Sequence, residues 1–166
     1  REVDNQLCSY FESLNIGKVV RGNPFNLVDR TQSAIKKSKC DFFVRLNGDS
    51  PFLDFNLIQG SLQYIYNYDF VTNLWPERSF PYGISVEIVN CTKYLELIKY
   101  CTIEEVEHVT SHLYRLMRNG CDLNVKTIKS KKSFNLDEKY VIDTKEDLLL
   151  MNQLISSIDP LEFCHD

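Results

Sequence analysis

The sequence contains no CxxC pair, no GxGxxG or GxxxxGK[ST] run and no serine nucleophile elbow. It also has no apolar stretch approaching the ~20 residues that span a bilayer. These absences exclude the Rossmann and Walker phosphate grips, an α/β-hydrolase nucleophile and membrane insertion through a helix. The six cysteines, at 8, 40, 91, 101, 121 and 164, are scattered, and several fall at apolar-periodic positions. They read as buried thiols of a reducing compartment, here the cytoplasm, rather than a disulfide framework or a zinc site. No repeat, low-complexity tract or internal linker interrupts the chain.

What is present is ordinary for a globule. The length of 166 residues suits one domain (1–166) with a real core, and the hydrophobic and charged fractions are 43% and 25%. A net charge of −4 argues against a sequence-independent nucleic-acid binder. The lysines at 126, 129, 131 and 132 accordingly read as a solvated strand edge and loop. Because the chain starts at Arg1 and enters a helical pattern at once, it reads as a fragment.

Hydrophobic periodicity predicts a helix over 2–14, stopped by Gly17, and a short strand over 18–21. Pro24 opens a helical stretch to about Lys37, Cys40 to Leu46 is a central strand, and Asp54 caps a helix over 55–66. Residues 69–73 and 84–89 read as strands around a loop over 74–83. Thr92 starts a helix to Tyr100. Thr102 starts another, with Glu105 completing a capping box and Gly120 the C-cap. Strands follow at 124–128 and 140–142, then a helix over 145–158 capped by Thr144 with Asp147 at its third position. Strands alternating with helices indicate a three-layer α/β/α domain on a mixed, mainly parallel sheet, with antiparallel pieces near 84–89 and 124–142.

Five constellations carry candidate chemistry. Asn47-Gly48-Asp49-Ser50-Pro51 ends the apolar run from Cys40 on a turn that presents a carboxylate. Ligands of open α/β sheets bind beyond the carboxyl ends of strands, and a carboxylate there can hold Mg²⁺ against a phosphate. Ile142-Asp143-Thr144 repeats the arrangement, so Asp49 and Asp143 could share one ion. Arg78, in the loop before Glu87, suits bidentate pairing with a carboxylate. His108 and His112 stand four apart, a spacing that can chelate zinc but lacks a third ligand. Arg21-Gly22-Asn23-Pro24 puts one glycine at a strand-to-helix turn, where a nucleotide can approach closely. Each has a bland alternative as well: a turn, an extra cap residue, a solvated face.

Taken in order, these segments resemble the spore-coat-polysaccharide type of cytidylyltransferase, relatives of the CMP-Kdo and CMP-sialic acid synthetases. The matching stretches are Val20-Arg21-Gly22-Asn23 with Leu27 and Arg30, Val44 to Asp54, and Tyr68 to Asn73. Arg78 to Gly83 with Val86-Glu87, Glu107 to Thr110, and Ile142 to Leu148 complete the set. The resemblance implies the nucleotide-diphospho-sugar transferase fold and transfer of a cytidylyl group from CTP to a sugar or sugar acid, with Mg²⁺ as cofactor. It implies that Asp49 and Asp143 are the catalytic, metal-binding carboxylates and that Gly22, Asn23 and Arg30 lie on the nucleotide side. Arg78, Glu87 and His108 fall on the sugar side, and two copies of the chain are expected to pair. Three departures stand out. The family's opening strand and Gly-rich triphosphate loop have no counterpart here, Ser85 replaces a frequent Asp, and Lys145 replaces a Pro. The first leaves open a non-catalytic binding or scaffold protein. A glycosyltransferase predicts a DxD motif, to which Asn47-Gly48-Asp49 is the nearest approach.

Overall fold

A computed structural model of the chain describes residues 3–157. The chain divides into two compact units. The first comprises the residues up to Phe43 together with Asn90–Leu123. The second comprises Val44–Val89 and the residues from Asn124 on. Among the described residues, no helix is long and apolar enough to cross a membrane.

The first unit contains α1 (Val3–Ser13), α2 (Leu27–Ser38), α4 (Cys91–Leu97) and α5 (Ser111–Arg118). Asn26 caps α2 by accepting the Asp29 amide at 2.8 Å, and Lys39 ends it in the left-handed region at φ 55°. Asn90, rather than Thr92, caps α4 through the Lys93 amide at 2.9 Å. The core of this unit is Val28, Ile35, Tyr94, Leu97, Val109 and Leu113. Tyr94 packs edge-on against Phe43 and donates its hydroxyl to the Val109 carbonyl at 2.9 Å.

Three expectations for this unit are corrected. The helix over 102–120 forms only from Ser111, and Thr102–Thr110 is a succession of turns. The Val106 carbonyl is taken by the Val28 amide at 3.1 Å, so it is not available to a helical ladder, and Ile103 is exposed. Half of the capping box survives, since the Thr102 amide donates to Glu105 Oε2 at 3.0 Å. Residues 18–21 are not a strand. Asn15, at φ 52°, terminates α1 in place of Gly17. Leu7, Tyr10 and Phe11 of α1, and Leu14 just after it, are exposed.

The second unit holds α3 (Phe55–Ser61), β2 (Phe70–Thr72), β4 (Val125–Thr127) and α6 (Lys145–Ser157). The predicted end of α6 at Ile158 lies outside the described residues. β1 (Phe42–Arg45) and β3 (Glu87–Asn90) complete the sheet, in the order β1-β3-β2-β4. β2 runs antiparallel to β3, with Val71 opposite Ile88, and parallel to β4, with Val71 opposite Lys126. The sheet is therefore mixed as expected, although 125–127 is a parallel rather than an antiparallel piece. Phe70, Val71, Val86, Ile88, Val89, Val141 and Met151 form the core. Residues 140–142 make no strand, and a single parallel bridge joins Tyr82 to Lys139.

Both aspartate-bearing helix starts are built as the sequence indicates. Asp54 caps α3 by accepting the Leu57 amide at 2.8 Å. At α6 the Asp147 amide donates to Thr144 Oγ1 at 3.1 Å, and Asp147 Oδ2 accepts the Thr144 amide at 2.9 Å. This is a reciprocal capping box. At the end of α5, Gly120 (φ 77°) and Cys121 return hydrogen bonds to Met117 and Leu116, a Schellman stop.

Candidate functional site

The turn after β1 is fixed from inside. The Ser50 amide closes it on the Asn47 carbonyl at 3.2 Å, and buried Ser50 donates its hydroxyl to Asp49 Oδ1 at 3.0 Å. The Asp49 carboxylate itself is exposed. The Asp49 carbonyl accepts the amide of Ile142 at 2.8 Å, and Phe52 packs edge-on against Tyr140. The segment ending in Asp143 is thus fastened beside the turn that carries Asp49. This backbone bond joins the segment before Asp143 to the Asp49 turn through main-chain atoms.

Asp143 is also exposed, and its Oδ2 receives Lys139 Nζ at 2.7 Å. That ammonium also lies 3.5 Å from Asp147 Oδ2. Asp143, and secondarily Asp147, raise the Lys139 pKa. The amides of Asp143 and Thr144 both donate to Asp147 and lower its pKa, which keeps the helix cap ionised. Among the described residues, no group of three or more His, Cys, Asp and Glu side chains is placed to hold a metal ion. Carboxylate oxygens are the ligand type that Mg²⁺ takes, together with waters and substrate phosphates.

The loop over 74–83 is anchored at both ends in the same unit. Fully buried Asn73 accepts the Val86 amide and donates to the Ile84 carbonyl, both at 2.9 Å, so one side chain replaces a rung of strand pairing. At the other end the Tyr82 amide donates to the Glu138 carbonyl at 3.2 Å, and Tyr140 donates to the Tyr82 carbonyl at 2.7 Å. Gly83 is required there: its φ is 101°, and a Cβ would stand 2.3 Å from the Tyr140 carbonyl oxygen. Arg78 is exposed on this loop, its guanidinium 5.1 Å from the centre of the Tyr82 ring.

Glu87 is 1% exposed and forms an ion pair with Arg45, which retains some exposure. Sequence reading singled out Glu87 but gave Arg45 no role. The signal was available, since Arg45 is the single charge in the apolar strand β1. Lys139 and Asn73 were also missed, and no pattern in the sequence marks either.

In the first unit, Gly22 and Arg30 come together. A Cβ on Gly22 would lie 2.7 Å from Arg30 Cγ, so the bare backbone lets the arginine stem rest on it. Both line a cavity of about 460 Å³ with Arg21, Asp4, Leu7 and Phe11. Asn23 instead turns its Oδ1 to the Phe25 amide at 2.9 Å and shapes the approach to α2. His108 and His112 do not form a pair. His108 is exposed in a turn, whereas His112 is fully buried in α5 beside Tyr94, with neither ring nitrogen hydrogen-bonded. Burial lowers the His112 pKa to about 4.

An α/β fold on a mixed sheet sets the structural class, and comparison with known proteins narrows it. No family model matches the chain. It is 29% identical over 138 residues to the spore coat polysaccharide biosynthesis protein SpsF of Bacillus subtilis, covering 78% of this chain and 53% of that protein. It is 26% identical over 171 residues to the uncharacterized protein MJ1063 of Methanocaldococcus jannaschii, covering 86% of this chain and 68% of that one. The fold matches a cytidylyltransferase from Leptospira borgpetersenii with a TM-score of 0.84 over 96% of this chain and 66% of that one. At 24% identity, that likeness shows the fold. The chain is similar to these proteins in sequence and in fold, and it spans about half the length of the Bacillus relative.

Proposed function

We propose that the protein takes part in Mg²⁺-dependent transfer of a cytidylyl group from CTP to a sugar or sugar acid, for surface polysaccharide, in the cytoplasm. The observation that carries this reading is the Ile142–Asp49 backbone bond, which holds two segments bearing exposed carboxylates side by side. Asp49 and Asp143 would hold the ion together with phosphate oxygens, and the ion would supply charge neutralisation where the sugar oxygen attacks the α-phosphorus. Ser50 orients Asp49, and Lys139 neutralises Asp143 until a divalent cation replaces it. Arg78, exposed and stacked on Tyr82, pairs with a carboxylate on the sugar. Glu87, being buried, contributes by holding Arg45. Gly22, Asn23 and Arg30 on the nucleotide side and His108 on the sugar side rest on the family resemblance, as does pairing of two copies of this one domain.

The test is CTP binding by calorimetry with and without Mg²⁺, together with pyrophosphate release in the presence of acidic sugars, on the native-length protein. Asp49→Ala and Asp143→Ala are each expected to lower Mg²⁺-dependent CTP affinity and turnover at least tenfold. Metal-dependent binding without turnover on any sugar would favour a non-catalytic binding protein. CTP binding indifferent to both substitutions would remove the reading altogether.

A further inference from the structure

Cys40 lies two residues before β1, and Cys91 opens α4. The main chain already joins the two neighbourhoods, because the Cys91 amide donates to the Asp41 carbonyl at 2.8 Å. The two sulfurs stand 3.4 Å apart. A disulfide needs about 2.05 Å between sulfurs, so about 1.4 Å of approach separates contact from bond. The two thiols differ in environment. Cys91 is 3% exposed, while Cys40 is half-buried and lines a cavity of about 980 Å³ with Ser38, Ile35 and Phe43. A small molecule entering that cavity meets Cys40 first. Ser38 Oγ lies 3.1 Å from Cys40 Sγ, where its hydroxyl can donate to a thiolate.

We propose that Cys40 and Cys91 form a reversible redox site that low-molecular-weight disulfides convert to an intramolecular disulfide. Cys40 thiolate attacks one sulfur of the small disulfide, forming a mixed disulfide and expelling one small thiolate. Cys91 then loses its proton and attacks the Cys40 sulfur, expelling the second. Two protein thiols are oxidised, one small disulfide is reduced to two small thiols, and the two released protons end on them. Burial, and then the Cys40 thiol itself, push the Cys91 thiol up to about 12. Conversion of Cys40 to the mixed disulfide removes the second of these influences, so the first step favours the next one. The order of attack follows from exposure: Cys40 captures and Cys91 resolves.

The experiment exposes the fully reduced full chain to oxidised glutathione, blocks remaining thiols by alkylation, and maps peptides by mass. The expected product is one cross-link between the Cys40 and Cys91 peptides, lighter by two hydrogens than their sum and cleaved by dithiothreitol. Cys40→Ser should abolish the cross-link, and Cys91→Ser should leave a persistent glutathione adduct on Cys40. Cys91 is buried and its variant can fail to fold, but the half-buried Cys40→Ser variant tests the pairing alone. Recovery of both thiols alkylated after oxidation overturns the proposal. So does glutathione stably attached to Cys40 in the unsubstituted chain.

Discussion

Lys139 Nζ lies 2.7 Å from Asp143 Oδ2, so one of the two proposed metal-binding carboxylates already carries a cation. A divalent ion held by Asp49 and Asp143 would have to displace it. Lys139→Ala is therefore expected to tighten Mg²⁺ or Mn²⁺ binding by about two- to fivefold, the range of an exposed ion pair. Metal titration by calorimetry at fixed CTP measures this. Weaker binding in the variant would instead assign Lys139 to the phosphate grip.

Gly83→Ala should destabilise the protein by at least about 2 kcal/mol, because it combines a left-handed backbone with a collision at the Tyr140 carbonyl. The control is Gly60→Ala in α3, where the added carbon meets nothing. Helix propensity there favours alanine by up to about 1 kcal/mol. Urea unfolding midpoints should move in opposite directions. Equal midpoints would mean the contact between residues 82–83 and 138–140 is not maintained in solution.

Removal of Arg45 leaves Glu87 buried without its guanidinium. Arg45→Met is expected to cost about 3–5 kcal/mol, and adding Glu87→Gln should recover part of that loss. A double-mutant cycle in urea gives the coupling, and a value near zero would show that Glu87 is held by its other neighbours.

Acid should weaken the first unit in two successive windows. His112 is depressed by burial from 6.5 to about 4, so below pH 6.5 the unfolded chain takes up a proton that the folded one refuses. Stability falls until about pH 4, by about 3 kcal/mol at 1.4 kcal/mol per pH unit. Glu105 is held down to about 2, first by its hydrogen bonds from Arg115, so its contribution is lost between about pH 4.5 and 2. His112→Phe should flatten the upper window and leave the lower one. Unfolding midpoints against pH decide it, and a flat profile from 6.5 to 4.5 in the unsubstituted protein would contradict the buried neutral histidine.

What could be read beforehand depended on local chemistry. The turn at Asn47–Pro51, the Thr144–Asp147 box and the Gly120 stop are encoded within a few residues, and all three form. Residues 102–110 misled because apolar spacing of three and four suits successive turns as well as a helix. The deciding bond, from the Val28 amide to the Val106 carbonyl, is distant in sequence. Residues 140–142 misled for the converse reason: the run is apolar enough for a strand but makes only isolated bonds, to Tyr82 and Asp49. Of the candidate site, the aspartates and Arg78 could be named from the sequence. Lys139 and Asn73 could not, because their roles exist only through what they touch.

The bond joining Ile142 to Asp49 is made by main-chain atoms on both sides, so neither aspartate side chain participates in it. Form and chemistry are therefore separable here. Asparagine, glutamate or serine at position 49 or 143 changes charge or reach while the donor and acceptor of this main-chain bond remain in place. Substitution at these positions becomes a clean probe of charge, and a lineage could lose the carboxylates and keep the same silhouette. Likeness of shape among such chains is then a poor guide to which of them still react, and the side chains at 49 and 143 have to be read one by one.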